Sequence, residues 1–314
     1  RPALLDLGKR PAQDGQLVAV QVVEPANATA GEDKGPRVSR RLALAGRFAV
    51  LVLGGKGVAP SRRLPAGVAK ALARRARVLA PSGCGVLLRW TALLATAEAL
   101  AHDIAWLARA AARIEANRQA ADSPCLLHDE GDGLHRILRE LGGRAARRIV
   151  IDDATVLRRA RAWAEDAAPD LLAVLEAAGA GALFDRHDVA SAIAASEARV
   201  VPLPSGGRLA IEGTQALTSV DVDTGPACAD ARALVMVNLE AAAEIGRQLR
   251  LRDTGGLVVV DFLRLADPAE RVRLLAALED AVASDRVSVQ VLGWTRGQMV
   301  ELVRPRIRAG EGAA

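Results

Sequence analysis

The sequence predicts an α/β protein of several subdomains, α+β in its overall layout. Three observations carry this. Short apolar runs alternate with Gly/Pro turns at the start, one apolar stripe repeats at helical spacing through the middle, and strands alternate with helices from residue 198 onward. The 314 residues are 51% hydrophobic and 25% charged, which can bury a core and rules out a fully disordered chain. Length alone gives a prior of about two domains.

Residues 17–23 and 48–53 are apolar runs, the second stopped by Gly54-Gly55, with a polar, basic stretch at 25–41 between them. Such short strands predict a small barrel remnant. Residues 61–77 are basic, with a helix expected from Ala66. A long helix is expected over 91–120. Leu93, Ala97, Leu100, Ile104, Leu107, Ala111 and Ile114 recur at spacings of four and three, a stripe that packs on a core or a partner helix. A short strand at 147–151 and helices at 154–167 and 170–178 follow. Residues 200–201 and 209–211 flank Pro204-Ser205-Gly206-Gly207 as a hairpin. A strand is expected at 216–222. Asn238 can cap a helix that runs to about Arg252 and is ended by Gly255-Gly256. Residues 257–263 form a near-continuous apolar strand. Asp267-Pro268-Ala269-Glu270 is a capping box with Pro at the first helical position, opening a helix to about Ser284. A strand at 287–292 precedes a final helix near Thr295, where Gln298 fits a second capping box.

The formal net charge of +5 and a pI near 9.7 point to an anionic partner, although aromatic residues at 2% leave few rings for stacking bases. Cys84, Cys125 and Cys228 form neither a disulfide framework nor a C-x-x-C pair, so a reducing cytoplasm is expected. His102, His128, His135 and His187 form no H-x-x-x-H pair, which disfavours a zincin-type site. There is no apolar run long enough for a membrane span and no secretory signal. The chain opens on Arg1 rather than Met, so an N-terminal piece is expected to be missing.

The chemistry concentrates at two strand ends. Asp221 and Asp223 share one face of their strand, and Asp261 ends the run Leu257-Val258-Val259-Val260. A helix expected to be about 14 residues long joins the two strands, and a crossover of that kind makes them parallel. The acidic groups then lie at carboxyl ends of strands, where open α/β sheets place their sites. Gathered carboxylates need a cation, and Mg²⁺ takes one or two of them while keeping several waters. In the alternative reading Asp261 caps a turn and Asp221 faces solvent. Asp221-Val222-Asp223-Thr224 matches the D-x-D-x-T of haloacid-dehalogenase-like phosphotransferases only in part, and no Lys follows Lys70. Val258 to Asp261 resembles a Walker B strand, but there is no phosphate-binding loop of the G-x-x-x-x-G-K-[ST] form.

Residues 204–212 (PSGGRLAIE), 216–223 (ALTSVDVD) and, above all, the ungapped block 238–262 (NLEAAAEIGRQLRLRDTGGLVVVDF) resemble the catalytic region of the ribonuclease E/G family. Weaker similarity runs back through Arg89 and Ala97-Glu98-Ala99-Leu100. The resemblance implies a partial S1 (OB-type) RNA-binding domain over 1–40, a 5′-sensor region over 41–130, an RNase H-like subdomain over 131–196 and a DNase I-like catalytic subdomain over 197–314.

The family's two Mg²⁺-binding carboxylates fall on Asp221 and Asp261. Asp223, grouped here with the metal site, stands where the family usually has Asn. Arg89 matches the Arg that grips a 5′-monophosphate, and Gly46 and Val50 match backbone contacts of that pocket. Trp90 replaces its neighbouring Thr. Lys34 matches an RNA-contacting Lys, and Leu4 stands where the family offers a Phe. Arg62 and Arg63 are further candidate phosphate contacts. The Cys-Pro-x-Cys zinc-link is missing, so no structural zinc is expected, and a homodimer would rest on apolar contacts such as the 93–114 stripe. The implied activity is Mg²⁺-dependent endonucleolytic cleavage of single-stranded RNA to 5′-phosphate and 3′-hydroxyl ends, in RNA processing and decay. The alternative is a non-catalytic RNA-binding paralogue.

Overall fold

The computed structural model describes residues 4–6, 13, 15–24, 36–142, 146–179, 181–214, 216–225, 230–283, 285 and 287–305. The chain divides into two compact units after Leu183.

In the first unit, β1 (Leu4–Asp6), β2 (Gln21–Glu24) and β3 (Arg37–Ser39) form a small sheet. A second sheet joins β4 (Ala43–Ala45), β5 (Ala49–Leu53), β6 (Val58–Pro60) and, after helix α1 (Ala66–Leu79), β7 (Cys84–Leu88), in the order β4-β5-β7-β6. A 3₁₀ turn over Trp90–Leu94 interrupts the helix expected from residue 91. Helix α2 (Ala97–Ala120) begins only at Thr96, whose hydroxyl accepts the Ala99 N–H as an N-cap. From Leu100 to Ile114 the stripe is buried in the core of this unit, whereas Leu93 is exposed. The stripe is therefore spent inside the unit, which corrects the expectation that it serves a dimer. Helix α3 (Gly133–Gly142), β8 (Ile149–Ile151), α4 (Ala154–Ala167), a 3₁₀ turn over Pro169–Val174 and β9 (Leu175–Ala177) pack a smaller core around Leu138, Leu157 and Leu171. The helix expected at 170–178 is thus a 3₁₀ turn and a short strand.

A one-turn helix α5 (Leu183–Arg186) at the division leads into α6 (Val189–Glu197). The second unit contains β10 (Val200–Pro202), β11 (Arg208–Gly213), β12 (Leu217–Asp223), α7 (Ala231–Leu251), β13 (Gly256–Asp261), α8 (Pro268–Ala283), β14 (Gln290–Trp294) and β15 (Val300–Arg304). Among the described residues its strands form one sheet, in the order β10-β11-β12-β13-β15-β14. The strands β12 and β13 pair in parallel across the α7 crossover. Two expectations fail here. Asp230, not Asn238, caps α7, by accepting the Ala233 N–H. The stretch after Thr295 is a hairpin turn between β14 and β15, not a helix. Its local capping-box spacing is overridden by pairing of β15 with β13. The two long helices meet closely at Gly246, where a Cβ would lie 2.7 Å from the Ala281 carbonyl oxygen. Val220, Val222, Val258 and Val260 pack with both helices in the core. Alternation then turns residues 221, 259 and 261 to the opposite face.

Candidate active site

On that open face, Asp221 and Asp261 stand directly opposite each other in the β12–β13 register. Both are exposed, and neither forms a hydrogen bond or ion pair with another described residue. Two like charges on adjacent strands destabilise the sheet unless a cation offsets them. Among the described residues no three His, Cys, Asp or Glu side chains gather as a metal-binding group, so this site offers two protein ligands. That donor set fits Mg²⁺, which takes one or two carboxylates and fills its remaining positions with water.

Asp223 lies two residues further along β12 and is already engaged. Its Oδ1 accepts the Gly225 N–H at 2.7 Å and its Oδ2 accepts Arg208 Nη2 at 2.6 Å. The Gly225 N–H first and the Arg208 guanidinium second hold this carboxyl below the ordinary range. Asp223 thus forms a neutral cross-strand pair beside the two unpaired carboxylates instead of a third free one.

The sequence reading missed what fixes the Asp261 end. Asn238 lies within α7 and is completely buried. Its Nδ2 donates to the Leu263 carbonyl at 2.8 Å, and its Oδ1 accepts the Leu263 N–H at 3.0 Å. The signal was present, because Asn238 shares the apolar stripe of Ala242, Ile245 and Leu249. A polar residue on such a stripe requires a buried partner. Glu240, two residues further along α7, accepts both the Ser205 N–H (3.0 Å) and hydroxyl (2.7 Å), which ties the β10–β11 turn to α7.

In the first unit the structure brings Arg89, Gly46 and Trp90 together, with Val50 in β5 paired to Ala45 and Leu87. Arg89 follows β7. Its Nη1 donates to the Gly46 carbonyl at 2.6 Å, and its Nη2 pairs with Glu140. The backbone turn beside it is occupied by an internal carboxylate. Asp103 accepts the N–H groups of Arg47 (2.9 Å), Phe48 (2.9 Å) and Ala49 (3.0 Å). Gly46 is required there, since a Cβ would lie 2.5 Å from Asp103 Oδ1. Trp90 carries the Arg63 guanidinium 5.0 Å above its ring, and Arg62 is exposed in the same region. The Thr91 hydroxyl is consumed by the Arg47 carbonyl at 2.6 Å. Lys34, the Leu4 side chain and the C-terminal tail lie outside the described residues. Among the described residues no helix is long and apolar enough to cross a membrane.

Comparison with known proteins matches residues 43–307 to the model of the Ribonuclease E/G family. The chain is 33% identical over 299 residues to Ribonuclease E of Nostoc sp. (strain PCC 7120), covering 93% of this chain and 43% of that protein. It is 30% identical over 305 residues to Ribonuclease G of Escherichia coli (strain K12), covering 94% of this chain and 61% of that protein. A chloroplastic Ribonuclease E/G-like protein of Arabidopsis thaliana is 30% identical, with 94% of this chain and 31% of that protein covered. The chain thus spans less than two thirds of the length of each of these relatives, from 31% to 61%. The match takes in both the Asp221/Asp261 strands and the Arg89 region, and the chain belongs to the ribonuclease E/G family.

Proposed function

We propose that the chain is a single-strand-specific endoribonuclease of RNA processing and decay, dependent on Mg²⁺ held by Asp221 and Asp261. The observation that supports this is the in-register pair of exposed carboxylates, neither of them in an ion pair among the described residues, in a family whose relatives are named ribonucleases. When bound, Mg²⁺ would offset the phosphate charge and supply an activated water. The chain's own residues supply rigidity and charge balance. Two paired strands hold the carboxylates side by side, and Asn238 locks the backbone just beyond Asp261. Arg208 offsets Asp223, so the strand end presents no surplus negative charge to an incoming phosphate. Hydrolysis would leave 5′-phosphate and 3′-hydroxyl ends, in the cytoplasm. Lys34, Arg62 and Arg63 are the candidate backbone contacts to RNA. A 5′-monophosphate must displace Glu140 from Arg89, and Trp90 offers no hydroxyl, so 5′-end discrimination should be weak.

The test is cleavage of a short single-stranded RNA with and without Mg²⁺, by the wild type and by Asp221→Asn and Asp261→Asn. Each substitution should lower the rate at least a hundredfold, on the order of the several kcal/mol that metal charge stabilisation supplies, with RNA binding retained. Full activity in either variant refutes the assignment. Binding without cleavage in the wild type would establish the non-catalytic paralogue, which the presence of Asp223 and Trp90 favours.

A further inference from the structure

A cavity of about 130 Å³ opens beside Asp261, lined in part by Arg264, Arg271, Trp294 and Gln298. Its lining sets the side chains of two arginines and a tryptophan against one carboxylate, Asp261. Among the described residues the buried Trp294 Nε1–H finds no hydrogen-bond partner. Arg271 stacks over the Trp294 ring, 4.4 Å from its centroid, and the Phe262 ring lies tilted against the indole with centroids 6.4 Å apart. Neither Arg264 nor Arg271 pairs its guanidinium with a carboxylate among the described residues. A buried N–H left without an acceptor is costly and calls for a ligand oxygen.

The turn between β14 and β15 supplies Gly297 and Gln298 to the lining. Gln298 has a φ of +65°, a left-handed conformation that favours glycine or asparagine. The turn is held there by Thr295, whose N–H donates to the Met299 carbonyl at 2.7 Å and whose hydroxyl accepts the Met299 N–H at 3.1 Å.

We propose that this cavity is an anion subsite, which receives a phosphodiester group of the RNA strand next to the one presented to Asp221 and Asp261. The inference rests on the endoribonuclease reading and names a residue set that the reading does not require. Two guanidiniums, an indole N–H and an amide match the oxygens of a phosphate, and the volume is too small for a nucleotide. Asp261 on the rim repels a free phosphate ion, so the subsite takes a strand seated across the strand ends, not the ion alone.

The experiment measures equilibrium binding of a fluorescein-labelled single-stranded RNA, about ten nucleotides long, to the intact chain without divalent metal, over a range of salt concentrations. Arg264→Gln and Arg271→Gln should each weaken binding and reduce the log–log salt slope by about 0.7, the share of one phosphate contact on a single strand. Trp294→Phe keeps the ring and removes the donor. It should weaken binding about tenfold with the slope unchanged, since an uncharged donor releases no counterion. Gln298→Gly should bind more weakly while raising the melting temperature, because glycine relieves the left-handed strain. Inorganic phosphate should not compete at millimolar concentration. Wild-type affinity and slope in the Arg and Trp variants overturn the subsite. Weaker binding with an unchanged slope in both Arg variants overturns the phosphate assignment in favour of a base. Normal subsite behaviour with no cleavage by the wild type would instead count against the endoribonuclease reading, and absence of RNA binding by the wild type overturns both.

Discussion

Replacing Asp103 tests the first unit most directly. Its carboxylate is 2% exposed and accepts three backbone N–H groups from the turn that also seats Arg89. Asp103→Ala strands three buried donors, each worth about 1–3 kcal/mol. Relief of the carboxylate's own burial cost offsets part of that, and the expected net loss is about 3–5 kcal/mol, the range for a broken buried charge interaction. Asp103→Asn is gentler. Its single oxygen can replace Oδ2, which serves Phe48 and Ala49, leaving the new amide against the Arg47 N–H. One mismatched contact costs about 1–3 kcal/mol. Urea unfolding followed by tryptophan fluorescence reads both, since Trp90, Trp106 and Trp163 all lie in this unit. Burial pushes the Asp103 carboxyl up. The folded unit therefore holds this proton to higher pH than the unfolded chain does. Its share of stability is fully present below the unfolded pKa and declines as pH rises through the folded one, a slope that Asn removes. Asp103→Asn within about 0.5 kcal/mol of the wild type would refute the reasoning, that being the ordinary range for a surface change.

Other expectations follow from the same geometry. Arg304 is fully buried, donating to Asp285 at 2.9 Å and to Asp253 and the Thr254 carbonyl at 3.0 Å. Arg304→Met should lower the unfolding free energy of the second unit by about 3–5 kcal/mol, because Asp285 is left charged and buried; an unchanged denaturant midpoint would contradict this. Asn238→Leu should depress kcat with little change in KM, by freeing the backbone beyond Asp261, whereas Asn238→Asp should retain more activity through its remaining acceptor; equal, wild-type kinetics in both would remove Asn238 as a positioning residue. Arg159 holds the exposed Asp132 carboxyl at about 2. That contribution is present above the ordinary carboxylate value near 4 and lost as pH falls towards 2, and salt weakens it. Asp132→Asn should flatten the acid limb of a stability–pH curve, and superimposable curves would count against the pair.

Much of the second unit was legible in the sequence because its signals are local. Val-rich runs ending in Asp, a crossover helix and a Gly-Gly stop suffice to place Asp221 and Asp261 at the ends of parallel strands, and the structure sets them in register. Helix α4 was legible over its whole length for the same reason: its cap, Asp153, lies next to its first turn. Only the tertiary structure decided what depends on distant partners. Asn238 looked like a cap until Leu263 supplied its two hydrogen bonds. Thr295 to Gln298 looked like a helix start until β15 paired with β13. Arg89 looked like an open phosphate grip until Glu140 closed on it. Periodicity and capping encode energies between neighbours along the chain. Register and the pairing of buried charges are settled between residues tens of positions apart, by the cost of leaving a buried polar group unmatched.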